Sequence, residues 1–358
     1  ESPLLQIIMA PNWDRNSSTA SDVFETIGNT PLVELTTASE GLDGTIYAKW
    51  ESFNPSNSLK DRVYYEMITQ AEKRGDLTDD KEILETSTGN AGIACTFVGT
   101  RLGYDVNIVM PEGMSEERKK LIRVYGGNLI ETPGAESDVD LAQDKAEEMI
   151  EENPDKYWFP DQFSNEDNIA AHKKTTGPEI TDQLGGAPDA VVHGQGTGGT
   201  ITGIAKHIVE EYGEDATEIY PLEPYEAPLL AEGEWGAHEI EGIGDGFIPK
   251  NLDPALFEGV VRVESEEALE MADWYPKNEG IFAGISSGAN LAGAKKVLEQ
   301  RDEVDSVVTV VCDVGERYFS TRLFEEDYEV DVPDREHPID ERSEELLDKH
   351  QDSWLMIE

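Results

Sequence analysis

The chain has 358 residues, 38% of them hydrophobic, and at about 150 residues per domain this length predicts two domains. Its 76 Asp and Glu residues against 28 Lys and Arg give a formal net charge of −48, which excludes nucleic acid and anionic membrane surfaces as expected partners. Acidic pairs recur along the whole sequence. We therefore expect adaptation to a salt-rich cytoplasm, where ions screen the repulsion among them.

Composition also limits the chemistry and the location of the protein. Cys95 and Cys312 lie far apart in apolar surroundings, which predicts neither a disulfide framework nor a cysteine-based zinc site. No apolar run approaches the length of about 18 residues that a membrane span needs. Residues 1–16 lack the basic and apolar regions of a secretory signal, so we expect a cytoplasmic protein.

Short apolar strands alternate with amphipathic helices along most of the chain. The pattern predicts strands at 82–85, 106–110, 129–130, 190–193 and 306–311, and helices at 91–102, 116–124, 139–150 and 201–209. This alternation is typical of an α/β fold with largely parallel sheets and right-handed crossovers.

Three segments fall outside this alternation. Residues 153–168 hold two prolines and little periodicity, which predicts a domain junction. Residues 221–254 contain five prolines and several glycines, as long functional loops do. The acidic stretch 325–358 predicts an appendage outside the core, with one short helix at 343–349.

A glycine-rich segment, Gly194-Gln-Gly-Thr-Gly-Gly-Thr200, joins a predicted strand to a predicted helix. The backbone N–H groups of such a loop and the positive end of the helix dipole bind phosphate. The spacing also matches the G-x-G-x-x-G fingerprint of dinucleotide-binding proteins, with Glu218 or Glu223 as the ribose-binding acid. A purely structural turn is the third interpretation that this segment allows.

Lys60 lies in a second segment of interest, Ser58-Leu-Lys-Asp-Arg62, which begins a predicted helix with Ser58 as its N-cap. A cation in the first turn faces the positive end of the helix dipole, which lowers the lysine pKa and suits a Schiff-base amine. Taken alone, however, such a segment more often carries an ordinary surface lysine.

Two more segments also precede predicted helices. Thr86 to Gly92 collects hydroxyls and an amide at a helix start, which suits a bound carboxylate or an ordinary N-cap cluster. Gly284 to Ala289 precedes another apolar helix, which we expect Ser286 or Ser287 to cap.

These four segments follow one another in an order that resembles the cysteine synthase (O-acetylserine sulfhydrylase) family of pyridoxal-phosphate enzymes. That family belongs to the fold-type II group. The similarity extends from about residue 21 to residue 324. It rests on Ile27 to Val33, Ser58 to Arg62, Thr86 to Gly92, Thr175 to Ile180, Gly196 to Thr200, Glu241 to Pro249, Gly284 to Ala289 and Gly315 to Tyr318.

The resemblance implies a fold and a division into domains. It implies the tryptophan synthase β-like fold, with two α/β domains, each with a mostly parallel twisted sheet, and an active site in the cleft between them. The smaller domain, 51–165, would carry the lysine and the substrate loop, residues 87–91. The larger domain, 21–50 together with 166–324, would carry the phosphate loop, residues 196–200. Residues 1–20 and 325–358 would be extensions.

The resemblance also implies the role of each site residue. Lys60 would form the internal aldimine with pyridoxal 5'-phosphate and later remove the Cα proton, Asn90 would bond the ring hydroxyl, and Ser286 would face the pyridine nitrogen. The cofactor phosphate would be bound by Gly196, Thr197, Gly198, Gly199 and Thr200. The substrate carboxylate would be bound by Ser87, Thr88, Gly89, Asn90, Ala91 and Gln162. No metal is implied.

The implied reaction is β-replacement, in which O-acetyl-L-serine loses acetate to give an aminoacrylate that adds sulfide and yields L-cysteine. The stretch 222–249 favours this activity over a cystathionine β-synthase-like or a serine/threonine dehydratase-like lyase on the same scaffold. A nicotinamide dehydrogenase and a non-catalytic binding protein are alternatives from other classes. The family suggests a homodimer and a serine acetyltransferase partner.

Two positions depart from the usual pattern of the family. Ser87-Thr-Gly-Asn-Ala91 stands where the family usually has Thr-Ser-Gly-Asn-Thr, so a hydroxyl is lost at Ala91 and substrate choice is expected to differ. Cys312-Asp-Val314 replaces a stretch that commonly contains proline, which we interpret as a packing change.

Overall fold

The computed structural model describes residues 19–134, 138–325 and 338–358. The strands are β1 (Leu32–Glu34), β2 (Thr45–Trp50), β3 (Glu82–Thr86), β4 (Val106–Pro111), β5 (Asn128–Thr132), β6 (Tyr157–Trp158), β7 (Ala190–Gly194), β8 (Glu218–Pro224), β9 (Gly259–Val263), β10 (Ser306–Val311) and β11 (Leu355–Ile357). The helices are α1 (Lys60–Arg74), α2 (Asn90–Leu102), α3 (Glu116–Val124), α4 (Val139–Glu152), α5 (Glu166–Lys174), α6 (Thr176–Leu184), α7 (Gly199–Tyr212), α8 (Leu229–Glu232), α9 (Ser265–Asn278), α10 (Ile285–Gln300) and α11 (Glu341–His350).

Two sheets organise these elements. The larger has the strand order β1-β2-β10-β7-β8-β9-β11 and the smaller has the order β5-β4-β3-β6. The pair β1 and β2 is antiparallel, and the other described pairs are parallel. We call the part built on the larger sheet the large lobe and the part built on the smaller sheet the small lobe. The predicted α/β fold with mostly parallel sheets is confirmed.

Helices cover both faces of each sheet. In β7, Val192 packs with α9 and α10, whereas its neighbour Val191 packs with α6 and α7 on the opposite face. In β4, Ile108 faces α1 and α2 while Val109 faces α4. Burial on both faces explains why these strands are continuous apolar runs in the sequence. Such runs are easy to recognise, and the predicted strands and helices differ from the structure only at their ends.

The C-terminal stretch differs from the prediction. Helix α11 is amphipathic and buries Leu347, and Trp354 is buried in the same cluster. Strand β11 then pairs with β9, with Met356 opposite Val260. The expectation that 325–358 lies outside the core is therefore wrong for residues 338–358, because Leu347, Trp354 and Ile357 are buried against the large lobe. Residues 326–337, and residues 1–18 of the expected N-terminal extension, lie outside the described part.

The two internal segments without periodicity also contain regular structure. Segment 153–168 leads from α4 to α5, and it includes β6, the edge strand of the smaller sheet. Segment 221–254 begins inside β8 and includes the single-turn helix α8 before an irregular loop. Within the described ranges, no helix is long and apolar enough to cross a membrane.

Candidate active site

A cleft between the lobes brings together the residues predicted from the sequence. It spans about 860 Å³, including space open to solvent, and lies at the carboxyl ends of β3, β7 and β10, where α/β folds bind ligands. Gly199 does not line it, but the other predicted residues do: Lys60, Ser87, Thr88, Gly89, Asn90, Ala91, Gln162, Gly196, Thr197, Gly198, Thr200 and Ser286. Five parts of the chain that are separated in sequence therefore meet at one site.

The loop between β7 and α7 is built for an anion. Gly198 is the N-cap of α7 and has a φ of +77°, a conformation that favours glycine. A Cβ atom on Gly198 would lie 2.6 Å from the backbone nitrogen of Leu252, so a side chain would not fit. The loop therefore offers its backbone N–H groups at a helix start, together with the hydroxyls of Thr197 and Thr200.

Helix α5 supports both of these hydroxyls. Asn168 Nδ2 donates to Thr197 Oγ1 at 3.0 Å, and His172 Nε2 lies 3.1 Å from Thr200 Oγ1. Burial lowers the pKa of His172 well below its usual range, so its ring is neutral. Because Asn168 donates to the Thr197 oxygen, the hydroxyl hydrogen remains available to an anion. Neither α5 residue was predicted, although their i, i+4 spacing places them on one helix face.

Gly199 has a different role from its neighbours in this loop. A Cβ atom at this position would lie 2.1 Å from Asn168 Oδ1. The absence of a side chain thus lets α5 approach α7 closely enough for Asn168 to reach Thr197. Gly199 therefore lies on the side of the loop that contacts α5 and does not line the cleft.

Lys60 is the first residue of α1. Leu59 is the N-cap, one residue after the predicted Ser58, but Ser58 Oγ still accepts the N–H of Lys60 at 3.3 Å. Burial lowers the pKa of Lys60, the direction predicted from its position, with loss of hydration as the main cause. Its Nζ donates to Gln162 Oε1 at 3.4 Å. An amine with a lowered pKa is suited to attack a carbonyl group.

The loop between β3 and α2 is held in shape by the hydroxyl of one of its residues, Ser87. Ser87 Oγ accepts the N–H groups of Gly89 at 2.9 Å and Gly92 at 2.7 Å. Gln162 Nε2 donates to the carbonyl oxygen of Thr86 at 3.1 Å, so the side chain that contacts the lysine amine also holds this loop. The loop lies at a helix start beside that amine, where a carboxylate would be stabilised.

Another wall of the cleft comes from β10 and α10. The expected capping by a serine is wrong, because Gly284 is the N-cap and Ser287 Oγ instead accepts the N–H of Cys312 at 2.9 Å. Ser286 lines the cleft beside Cys312. Burial raises the pKa of the Cys312 thiol to about 12. The polar groups of these two residues are therefore neutral at neutral pH.

Two polar contacts between the lobes were not predicted. Asn90 Nδ2 donates to Asp313 Oδ2 at 2.7 Å, and a buried ion pair joins Arg118 of α3 to Glu241. The interpretation of 312–314 as a packing change is therefore wrong, since Cys312 lines the cleft and Asp313 binds a residue of the substrate loop. The partners are more than 100 residues apart in the chain, and no local pattern pairs them.

Comparisons with known proteins agree with this geometry. The family described as pyridoxal-phosphate dependent enzyme matches residues 23–313. Cysteine synthase A of Escherichia coli (strain K12) is 44% identical over 315 residues, covering 85% of this chain and 96% of that protein. Cysteine synthase 3 of Caenorhabditis elegans is 42% identical over 305 residues, covering 85% and 89%. The crystal structure of cysteine synthase from Entamoeba histolytica has a TM-score of 0.82 at 35% identity and covers 95% and 98%.

The family match over residues 23–313 shows that the chain is a pyridoxal-phosphate-dependent enzyme, and Lys60 and the glycine loop line one cleft of its fold. Within that class, the chain belongs to the cysteine synthase family. The expected family and cofactor are confirmed, and the dinucleotide interpretation of the glycine loop is wrong. Spacing alone could not separate these interpretations, because both cofactors present a phosphate to a glycine loop at a helix start.

Proposed function

We propose that the protein catalyses β-replacement on O-acetyl-L-serine with sulfide to give L-cysteine. The observation that carries this proposal is the position of Lys60, whose amine has a lowered pKa and lies between the phosphate loop and the substrate loop in one cleft. The family relatives named cysteine synthase support the same activity.

The residues of the cleft fit pyridoxal phosphate. The glycine loop has no space for side chains and supplies N–H donors with two hydroxyls, a donor set that suits a phosphate dianion. Lys60 would hold the cofactor covalently, and Asn90 and Ser286 would bind the ring hydroxyl and the ring nitrogen. When bound, the cofactor withdraws electrons from the substrate Cα.

The neutral groups at Ser286 and Cys312 support the assignment of Ser286 to the ring nitrogen. A hydroxyl beside a neutral thiol would leave the ring nitrogen unprotonated, which moderates electron withdrawal and favours elimination over transamination. The Lys60 amine would take the Cα proton of the bound substrate. Its lowered pKa increases the fraction of neutral amine at a given pH, and the neutral amine is the form that accepts a proton.

The substrate carboxylate would bind the loop 87–91 with Gln162. The hydroxyl of Ser87 is already used in shaping the loop, so we assign carboxylate binding chiefly to backbone N–H groups, to Thr88 and to the Gln162 amide. Ala91 contributes no hydroxyl, which narrows the polar contacts available to the substrate.

The test is a matrix of donors and acceptors with purified holoenzyme. O-acetylserine, O-phosphoserine and serine are each combined with sulfide and with homocysteine, and the Lys60→Ala variant is the control for non-enzymatic addition. We expect the fastest turnover with O-acetylserine and sulfide. Faster cystathionine formation from serine and homocysteine would replace the proposal with a cystathionine β-synthase-like activity, and pyruvate release without cysteine would replace it with a dehydratase.

We also propose, from the family resemblance, that the protein is a cytoplasmic homodimer with a serine acetyltransferase as partner. The same resemblance supports domain boundaries at residues 50/51 and 165/166. Light scattering at micromolar protein tests the dimer, and a monomer would contradict it. Co-elution with a serine acetyltransferase from the same cells tests the partner, and separate elution would contradict that association.

The charge of −48 supports salt adaptation. Folding gathers carboxylates onto a compact surface, and the Debye length falls from about 8 Å at 0.15 M salt to about 3 Å at 1 M, so added salt relieves their repulsion. We expect the unfolding midpoint to rise steadily from roughly 0.1 to 3 M KCl. Sucrose at matched osmolality controls for general exclusion effects, and a flat or falling midpoint in KCl would contradict the adaptation.

A further inference from the structure

The amide of Asn90 lies between two charged residues of the large lobe. Its Nδ2 donates to Asp313 Oδ2 at 2.7 Å, and Arg317 Nη1 donates to its Oδ1. A carboxylate can only accept hydrogen bonds and a guanidinium can only donate them. Only one of the two amide orientations satisfies both neighbours, so the contacts themselves determine which end is nitrogen.

Both charged neighbours are themselves held in place. Asp313 is fully buried, and its Oδ2 also accepts from the hydroxyl of Tyr318 at 2.9 Å. Arg317 is buried, and its Nη2 donates to the carbonyl oxygen of Ser56. Buried charged groups do not give up such hydrogen bonds readily, because the loss of a partner leaves a charge that water cannot solvate.

One N–H of Asn90 remains after these contacts. An amide nitrogen carries two hydrogens, and one of them is used by Asp313. Asn90 lines the cleft. We propose that Asp313 and Arg317 are positioning residues, which lock the Asn90 amide so that it offers an N–H, and never its oxygen, to the ring oxygen of the cofactor. This inference rests on the proposed function and specifies how that function is supported.

The locked amide has an electronic consequence. An N–H donor stabilises the deprotonated ring oxygen, whereas a reversed amide would place its own oxygen there and favour the protonated form. The two forms of bound cofactor differ in visible absorbance, so the spectrum reports the amide orientation independently of turnover. Each neighbour alone is sufficient to set the orientation, and the two are therefore redundant.

Redundancy predicts a specific pattern in variants. Asp313→Asn and Arg317→Gln each introduce a group that can both donate and accept, and either single variant should shift the ratio of the two absorbing forms only slightly. The double variant should shift the ratio about tenfold towards the protonated ring oxygen, the size of one hydrogen bond to a charged group. Tyr318→Phe is the matched control, because it removes a bond to the same Asp313 oxygen and should leave the spectrum unchanged.

Asn90→Ala supplies the reference spectrum for loss of the donor, and it also covers the case in which the double variant does not fold. Cofactor content and the thermal midpoint are measured for every variant. A wild-type spectrum in Asn90→Ala, or in a folded and loaded double variant, would overturn this inference. If the wild-type enzyme instead forms no cysteine from any serine donor, the proposed function fails first, and the two failures are thus distinguishable.

Discussion

Two loops of the cleft share one plan but differ in their support. Each leaves the carboxyl end of a parallel strand and begins a helix, α7 in the large lobe and α2 in the small lobe. The phosphate loop is supported by Asn168 and His172 of α5, which packs against α7. The substrate loop is shaped by Ser87 from within and is held across the cleft by Asp313.

From this difference we expect cofactor retention and substrate binding to depend on separate structural supports. A change behind the phosphate loop should release the cofactor, while a change in the substrate loop should weaken the substrate and leave the cofactor bound.

Removal of the phosphate-loop hydroxyls should have the largest effect on cofactor affinity. Thr197→Ala and Thr200→Ala should each weaken cofactor binding about tenfold or more, because each removes a hydrogen bond to a charged phosphate. Equilibrium dialysis of the cofactor measures this effect. Ser286→Ala is the matched control, since it should retain the cofactor while slowing elimination, and equal affinity in all three variants would refute the division of roles.

Ser87→Ala should produce the opposite profile. It removes the acceptor for two loop N–H groups, and neutral hydrogen bonds contribute about 0.5 to 1.5 kcal/mol each, so we expect KM for O-acetylserine to rise several-fold with cofactor affinity unchanged. Steady-state kinetics at saturating cofactor checks this. Cofactor loss comparable to that of Thr200→Ala would show that the two loops are not supported separately.

The sequence predicted the layout of both loops and not their support. Strands β3 and β7 were predictable because two-sided burial makes them short apolar runs, and the loops after them carry the residue types that bind anions. Asp313 and Arg118 were missed because their partners, Asn90 and Glu241, lie in distant parts of the chain. Strand β11 was missed because three residues in an acidic stretch give too little periodicity.

The strands beneath the two loops carry different titratable residues. Burial raises the pKa of Glu85, near the end of β3, to about 8, and burial lowers the pKa of His193, near the end of β7, to about 3. Both side chains are neutral at pH 7. Of these two residues, only Glu85 acquires a charge as the pH rises through 8, so the strand beneath the substrate loop should be sensitive to alkaline pH.

Glu85→Gln tests this difference through stability. The folded-state pKa of Glu85 lies above its ordinary value of 4.5, so the folded protein binds the extra proton and loses stability as the pH rises from about 4.5 to about 8. The stability of the variant relative to wild type should therefore increase across this window and level off above it, by about 1 kcal/mol or more. Denaturant unfolding at several pH values measures the difference. A constant difference would contradict the raised pKa.

Both loops depend on Lys60, which we propose holds the cofactor between them. Borohydride reduction of the holoenzyme, followed by proteolysis and peptide mass mapping, tests this role. We expect one labelled peptide, containing Lys60, and no label in Lys60→Ala. A label on any other lysine, or none in a protein that carries cofactor, would contradict this role of Lys60.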